Sequence, residues 1–210
     1  MNINKNSKRR KELVAIAARL FCNQGYESTT VRMLADAMGI KSGSLFHHFK
    51  DKQEILFAVI ESGMHHALQI TTRALEKLDS PRERLLAVAR SHLFTLLEDR
   101  NAHVVALYEW RSLTEESRHE LVKIRDAYES LWTQVIAECQ EAGLMTGDRG
   151  LQRRLALGAL NWTVQWYRPG AGLEPDDLAE ELVAMVLRED GVLREDEGLR
   201  EEAVARRSLR

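Results

Sequence analysis

Apolar residues recur at intervals of three and four along almost the entire chain, the spacing of a helix with one buried face. Leu13, Ile16, Ala17, Leu20 and Phe21 form one such stripe. Leu56, Ile60, Met64, Ala67, Thr71, Leu75 and Leu78 form a longer one, and Leu121, Ile124, Tyr128, Leu131, Val135 and Cys139 a third. Leu155, Ala159, Trp162 and Trp166 make a fourth, and Leu178, Leu182 and Met185 begin a fifth. The strict alternation of a half-buried strand is missing. Asp51 with Glu54, and Ser80-Pro81 with Glu83, are capping patterns that open helices, while Gly25, Gly39 and Gly143 fall where helices should stop. The pattern predicts an all-α chain with helices near 8–24, 30–37, 41–48, 52–78, 81–99, 102–112, 116–142, 149–167 and 175–189. Charge dominates residues 188–210, where Leu193, Leu199 and Val204 are too sparse to pack, so a frayed helix or a disordered tail is expected.

The 210 residues, 44% hydrophobic and 30% charged, suit a globular protein and neither a disordered chain nor a membrane protein. No stretch approaches the roughly 20 apolar residues of a membrane helix. The basic start of the chain lacks the apolar core of an export signal, so a cytoplasmic location is expected. Cys22 and Cys139 make neither a disulfide framework nor a metal clip. The net charge of −2 is unevenly divided. Residues 1–60 carry 10 Lys+Arg against 5 Asp+Glu, net +5, and residues 61–210 carry 20 against 27, net −7. A basic N-terminal quarter on an acidic body is either a solvated face or the footprint of a polyanion.

Chemistry favours the second. The expected helices at 30–37 and 41–48 are joined through Met38-Gly39-Ile40-Lys41, a helix-turn-helix layout. Val31, Leu34, Ala35 and Ile40 are placed to pack this pair against the first helix. The next segment sets Lys41, Ser42, Gly43, Ser44, His47, His48 and Lys50 around three apolar anchors, Leu45, Phe46 and Phe49. Small and polar groups at a helix start suit base edges and phosphates, and the helix N-terminus adds partial positive charge. Thr29 and Thr30 stand at the start of the preceding helix, where capping competes with DNA contact as an explanation.

Ala18-Arg-Leu-Phe21, Gly25-Tyr26, Thr29-Thr30-Val31, Leu34-Ala35, Gly39-Ile40, Ser42-Gly43-Ser44-Leu45-Phe46-His47-His48-Phe49 and Lys52 together resemble the TetR family of bacterial transcriptional regulators. Phe46 departs from the family's usual tyrosine. The resemblance implies a homodimer binding double-stranded operator DNA, one helix-turn-helix per half-site. It assigns base and near-base contacts to Lys41, Ser42, Gly43, Ser44, His47 and His48, and phosphate contacts to Thr30, Arg32, His48, Lys50 and Lys52. Thr29, Val31, Leu45 and Phe49 complete the expected DNA-binding set. The basic run Lys5, Lys8, Arg9, Arg10 and Lys11 is expected to act as an arm on flanking DNA.

Beyond residue 60 lie all four tryptophans, Trp110, Trp132, Trp162 and Trp166, with Tyr108, Tyr128 and Tyr167. They either pack a core or enclose a ligand pocket. Interspersed arginines are either surface ion pairs or partners for phosphate and carboxylate. Tyr108-Glu-Trp-Arg111, Arg125-Asp126-Ala-Tyr128 and the run from Leu157 through Asn161-Trp162, Trp166-Tyr167-Arg168-Pro169-Gly170 resemble a TetR branch that senses acyl-CoA thioesters. That resemblance implies ligand contacts from Tyr108, Trp110, Arg111, Arg125, Tyr128, Trp132, Trp162, Trp166 and Arg168, and a dimer interface from the last two large helices. The expected organisation is a DNA-binding domain at 1–55, a ligand-binding and dimerisation domain at 56–190 and a charged tail at 191–210. The expected function is a repressor released from its operator by an acyl-CoA, with no cofactor and no metal. Two alternatives stand beside it: sensing of a non-CoA amphiphile or drug, and a metal-dependent enzyme. For the second, no H-E-x-x-H, G-x-S-x-G, Walker or dinucleotide glycine pattern occurs.

Overall fold

The computed structural model describes residues 2–187. Its order is α1 (Asn2–Gln24), α2 (Val31–Ala37), α3 (Ser42–Leu45), α4 (Lys52–Leu75), α5 (Pro81–Glu98), α6 (Arg100–Tyr108), α7 (Glu115–Glu141), α8 (Arg149–Trp166) and α9 (Pro175–Val186). A single 3-10 turn, Trp110–Ser112, separates α6 from α7. The described residues contain no strand, as the periodicity predicts. The charged tail expected at 191–210 lies outside the described residues.

Side-chain caps set most boundaries. Thr30, Asp51, Ser80, Asp99, Thr114 and Asp148 each accept a backbone N–H from the first turn of the helix they open. Each such cap is worth about 1 kcal/mol. Asp51 and Glu54 act as a pair: Glu54 N–H donates to Asp51 Oδ1 at 2.8 Å, and Glu54 Oε2 accepts Lys50 N–H at 2.6 Å. The far end of α4 is closed by a side chain from the next helix. Arg84 donates to the carbonyls of Leu75 and Leu78 and to Glu138 Oε2, the last at 2.6 Å.

Three sequence expectations change. The basic run Lys5, Lys8, Arg9, Arg10 and Lys11, expected as an arm, is helical, because α1 extends back to Asn2. The helix expected at 41–48 is regular only over Ser42–Leu45, after which His47 and His48 close tighter turns on Ser44 and Leu45. The helix expected at 102–112 starts at Arg100 and breaks at Glu109, whose side chain is engaged elsewhere.

Two apolar cores organise the molecule. The first joins Leu13, Phe21, Leu34, Leu45, Phe49 and Ile55 to Ala102, Val105, Leu113 and Leu121. The second joins Leu75, Leu85, Leu93, Trp132, Ile136, Leu160 and Val183. Helices α4 and α7 contribute to both, so the residue-55 boundary crosses a continuous core. At 24 residues, α4 is about 36 Å long and carries the first core into the second.

The turn between α2 and α3 depends on Gly39. Its φ is +64°, and Ile40 N–H closes the turn on Ala35 O at 3.0 Å. A Cβ added there meets nothing within 4 Å, so a substitution changes backbone strain alone. Gly39→Ala is expected to cost about 1–2 kcal/mol in urea denaturation, and Gly39→Asn clearly less, because asparagine tolerates the left-handed region.

Candidate DNA-reading surface and effector cavity

The helix-turn-helix residues divide into those facing water and those holding the fold. Thr30, Arg32, Lys41, Gly43, His47 and Lys50 are exposed, and Val31, Ser42, Ser44, His48 and Lys52 are half-buried. Thr29, Leu45 and Phe49 are buried, which corrects their inclusion among contact residues. The Thr29 hydroxyl donates to Gly25 O at 2.8 Å, so it fastens α2 to the end of α1. Phe46 is corrected the other way. It is 50% exposed and not an anchor, because Leu45 and Phe49 share a face that excludes the residue between them. With one turn of regular helix, α3 has little dipole to offer phosphate. The positive charge of the surface rests on Lys41, Lys50 and Arg32, the last 3.8 Å from Asp36. Lys52 Nζ sits 4.0 Å over the Tyr26 ring and donates to Glu27 O, tying its charge to the fold.

A cavity of about 620 Å³ opens between α4, α5, α6, α7 and α8. Five predicted ligand residues line it: Tyr108, Trp110, Arg111, Arg125 and Tyr128. The other four do not. Trp132 is fully buried in the second core. Trp162 and Trp166 are 62% and 48% exposed on α8, and Arg168 follows the helix on the surface. A larger cleft of about 870 Å³ lies between α1, the reading segment and α4, lined by Arg10, Lys11, His47, His48 and His65. None of the expected ligand-binding aromatics reaches it.

The rim of the smaller cavity is charged. Arg125 is stacked over Trp110, 5.6 Å from the ring centre, and is paired with Asp126 and Glu129. Its inner wall holds a polar cluster in which Tyr128 was expected and Asn161 lay in the run from Leu157 through Gly170, while His92 and His103 were missed. His92 and His103 each place Nε2 3.1 Å from Asn161 Oδ1, and His92 Nδ1 is 2.8 Å from Tyr128 OH. Burial pushes His92 down to about 3, and burial also lowers His103. The Tyr128 phenol is pushed up to about 12 by burial. The signal available in the sequence was register: His92 falls in the apolar spacing of Leu85, Val88, Ala89 and Leu96, where an unpaired histidine is costly.

The cavity wall is tied to the reading head. Glu109 sits between Tyr108 and Trp110. Its Oε1 accepts Tyr26 N–H at 3.0 Å and its Oε2 accepts Ser112 Oγ–H at 2.7 Å. Gln53, in the first turn of α4, donates to Ser112 O at 2.7 Å and to Tyr26 OH at 2.9 Å, and accepts Thr114 N–H at 3.2 Å. One short segment thus lines the cavity and holds the end of α1 and the start of α4.

A helix-turn-helix head joined through such a segment to a helical body with a cavity is the build of a DNA-binding transcription regulator. Residues 13–59 match the family model for bacterial regulatory proteins of the tetR family, and residues 78–189 match the tetracyclin repressor-like C-terminal domain. The chain is 31% identical over 183 residues to the HTH-type transcriptional repressor KstR2 of Mycolicibacterium smegmatis, spanning 85% of this chain and 89% of the relative. The crystal structure of the superantigen PfiT is 45% identical with a TM-score of 0.74, over 87% of this chain and 97% of that one. The structure of AibR in complex with isovaleryl coenzyme A and operator DNA is 27% identical with a TM-score of 0.77, over 85% and 97%. The chain belongs to the TetR family of transcriptional regulators, which are not enzymes. Among the described residues no helix is long and apolar enough to cross a membrane.

The buried histidines make stability pH-dependent. Both take up a proton less readily in the fold than in the unfolded chain, so below about 6.5 the unfolded chain binds more protons than the folded one. The contribution of His92 is complete above that value and is lost as pH falls towards about 3, and that of His103 is lost in the same direction. Lowering pH from about 7.5 to about 5.5 is expected to lower the melting temperature, and His92→Gln to shrink the drop. Identical drops in both proteins would remove this assignment.

Proposed function

We propose that the protein is a ligand-responsive transcriptional repressor that binds a palindromic operator as a homodimer and is released by an acyl-CoA thioester. Residues 1–55 form its reading head, and the chain from residue 56 senses ligand and dimerises. Lys41, Ser42, Gly43, Ser44, His47 and His48 are our candidates for base and near-base contacts, and Thr30, Arg32, Lys50 and Lys52 for phosphates. The observation that carries the reading is the shared segment: Tyr108, Trp110 and Arg111 line the cavity, while Glu109 and Ser112 between and beside them hold Tyr26 and Gln53. An effector that fits better when this segment is displaced shifts the head away from its DNA-competent position, and only that preference provides the coupling. Moving two heads spoils their simultaneous fit to grooves roughly 34 Å apart.

Dimerisation is supported by α8. Leu151, Leu155, Trp162 and Trp166 stand 53%, 64%, 62% and 48% exposed along one face, and Gly158 lies among them with open space where a Cβ would be. Met185 of α9 is 79% exposed. An apolar stripe of this kind suits a helix bundle with a second copy. Trp162 and Trp166, expected from the sequence to hold ligand, are reassigned to this face.

The acyl-CoA part rests on the resemblance of the cavity-lining runs, and on AibR, a relative solved with isovaleryl coenzyme A and operator DNA. Sensing of a cationic amphiphile is disfavoured by Arg125, which already occupies the face of Trp110.

An operator selected from random duplexes, titrated by fluorescence anisotropy with acyl-CoAs of increasing chain length, tests the effector. At least tenfold weaker DNA binding is expected with one of them. No release and no melting shift with any chain length would overturn the acyl-CoA assignment. Trp162→Glu is expected to give monomers in sedimentation velocity and to weaken operator binding about a hundredfold or more through lost bivalency.

A further inference from the structure

We propose that the cavity is built for an amphiphile bearing a hydroxyl group on its buried, otherwise apolar body, recognised jointly by Asn161 and His103. This rests on the ligand-sensing reading above for the use of the cavity, but not on the ligand being a CoA thioester.

A wall designed for a bare hydrocarbon chain has no use for polar side chains, which cost stability when buried. Much of this cavity follows that rule, with Met64, Ala67, Ala106 and Leu157 in its walls. His92, His103, Tyr128 and Asn161 break it, and all four line the same space.

Counting hydrogens shows what the cluster leaves unused. With the Asn161 carbonyl towards the histidines, Oδ1 accepts from both Nε2–H groups at 3.1 Å. His92 Nδ1 then accepts the Tyr128 hydroxyl proton at 2.8 Å. The Thr71 hydroxyl and the Trp132 indole N–H face the Tyr128 oxygen without closing a hydrogen bond on it. Among the residues lining the cavity, what remains is the Asn161 NH2 with both its hydrogens as donor and His103 Nδ1 as acceptor. Neither has a hydrogen-bond partner among the described residues.

Turning the amide over reverses these bonds: Asn161 NH2 then donates to both Nε2 atoms and His92 Nδ1–H donates to Tyr128, whose own hydroxyl hydrogen is released, so Asn161 Oδ1, His103 Nδ1–H and the Tyr128 O–H are unused. Either way Asn161 and His103 between them offer both a donor and an acceptor.

A hydroxyl offers one hydrogen and one lone pair to such a pair of groups. A carboxylate offers no hydrogen. No basic side chain hydrogen-bonds to the cluster among the described residues, and the Arg125 charge is spent on Asp126 and Glu129. The charged part of an amphiphile therefore belongs at the rim and its hydroxyl at the inner wall.

The test uses the full chain and matched probes: octanoyl-CoA and its hydroxylated forms from the third carbon to the ω-carbon, with the corresponding free acids. Calorimetric titration is expected to show at least one hydroxylated probe binding about tenfold or more tighter than its parent. His103→Phe is expected to erase that advantage, so that the hydroxylated probe and its parent bind alike. Should that variant fail to fold, nitrogen NMR of the wild-type protein provides the readout, with the His103 Nδ1 resonance moving for the hydroxylated probe alone. Equal binding of every hydroxylated probe and its parent overturns the proposal and leaves acyl-CoA sensing intact. A hydroxyl preference among free acids with no thioester binding supports the proposal and overturns the CoA reading. No binding by any probe overturns both.

Discussion

The short stretch between α6 and α7 has to satisfy two neighbours at once. Glu109 turns away from the cavity to take the amide of Tyr26 and the hydroxyl of Ser112, while the side chains on either side of it turn in. A carboxylate accepting two hydrogen bonds is a strong and directional fastening. At Glu109 α6 gives way to a 3-10 turn. Gln53 repeats the arrangement from the side of α4, and its amide is fully engaged by Tyr26, Ser112 and Thr114. The first core then encloses the whole junction, since Ala102, Val105 and Leu113 pack with the residues of the reading head.

Most of the secondary structure was legible because it is governed locally. Asp51, Ser80 and the glycines at 25, 39 and 143 act within one turn of where they stand, and the structure uses each as a boundary. What escaped was decided by distant residues. Nothing near Glu109 in the chain marks it as a helix terminator, because its partner Tyr26 lies 83 residues away. Phe46 and Phe49 look alike in sequence, but only Phe49 meets the core and the guanidinium of Arg10, 4.5 Å from its ring centre.

The cavity was half legible for the same reason. The aromatic and arginine residues from Tyr108 to Tyr128 form a recognisable run, and they do gather at one opening. The polar wall draws one residue each from α5, α6, α7 and α8, separated by up to 69 residues within a single hydrogen bond. No linear motif encodes such a cluster. The exposed tryptophans show the converse: Trp162 and Trp166 share a face of α8, as their spacing requires, but periodicity does not say whether that face meets a ligand, a core or another molecule.

The four tryptophans occupy three different surroundings: Trp132 has no contact with water, Trp110 borders the cavity, and Trp162 and Trp166 stand on the surface. Indole emission follows local polarity, so the native spectrum is a sum of a blue, dry component and a red, wet one. Covering α8 alters the wet component, and filling the cavity alters the light from Trp110. The molecule thus carries an intrinsic optical label at the cavity and another on the exposed face of α8, with Trp132 as the internal reference.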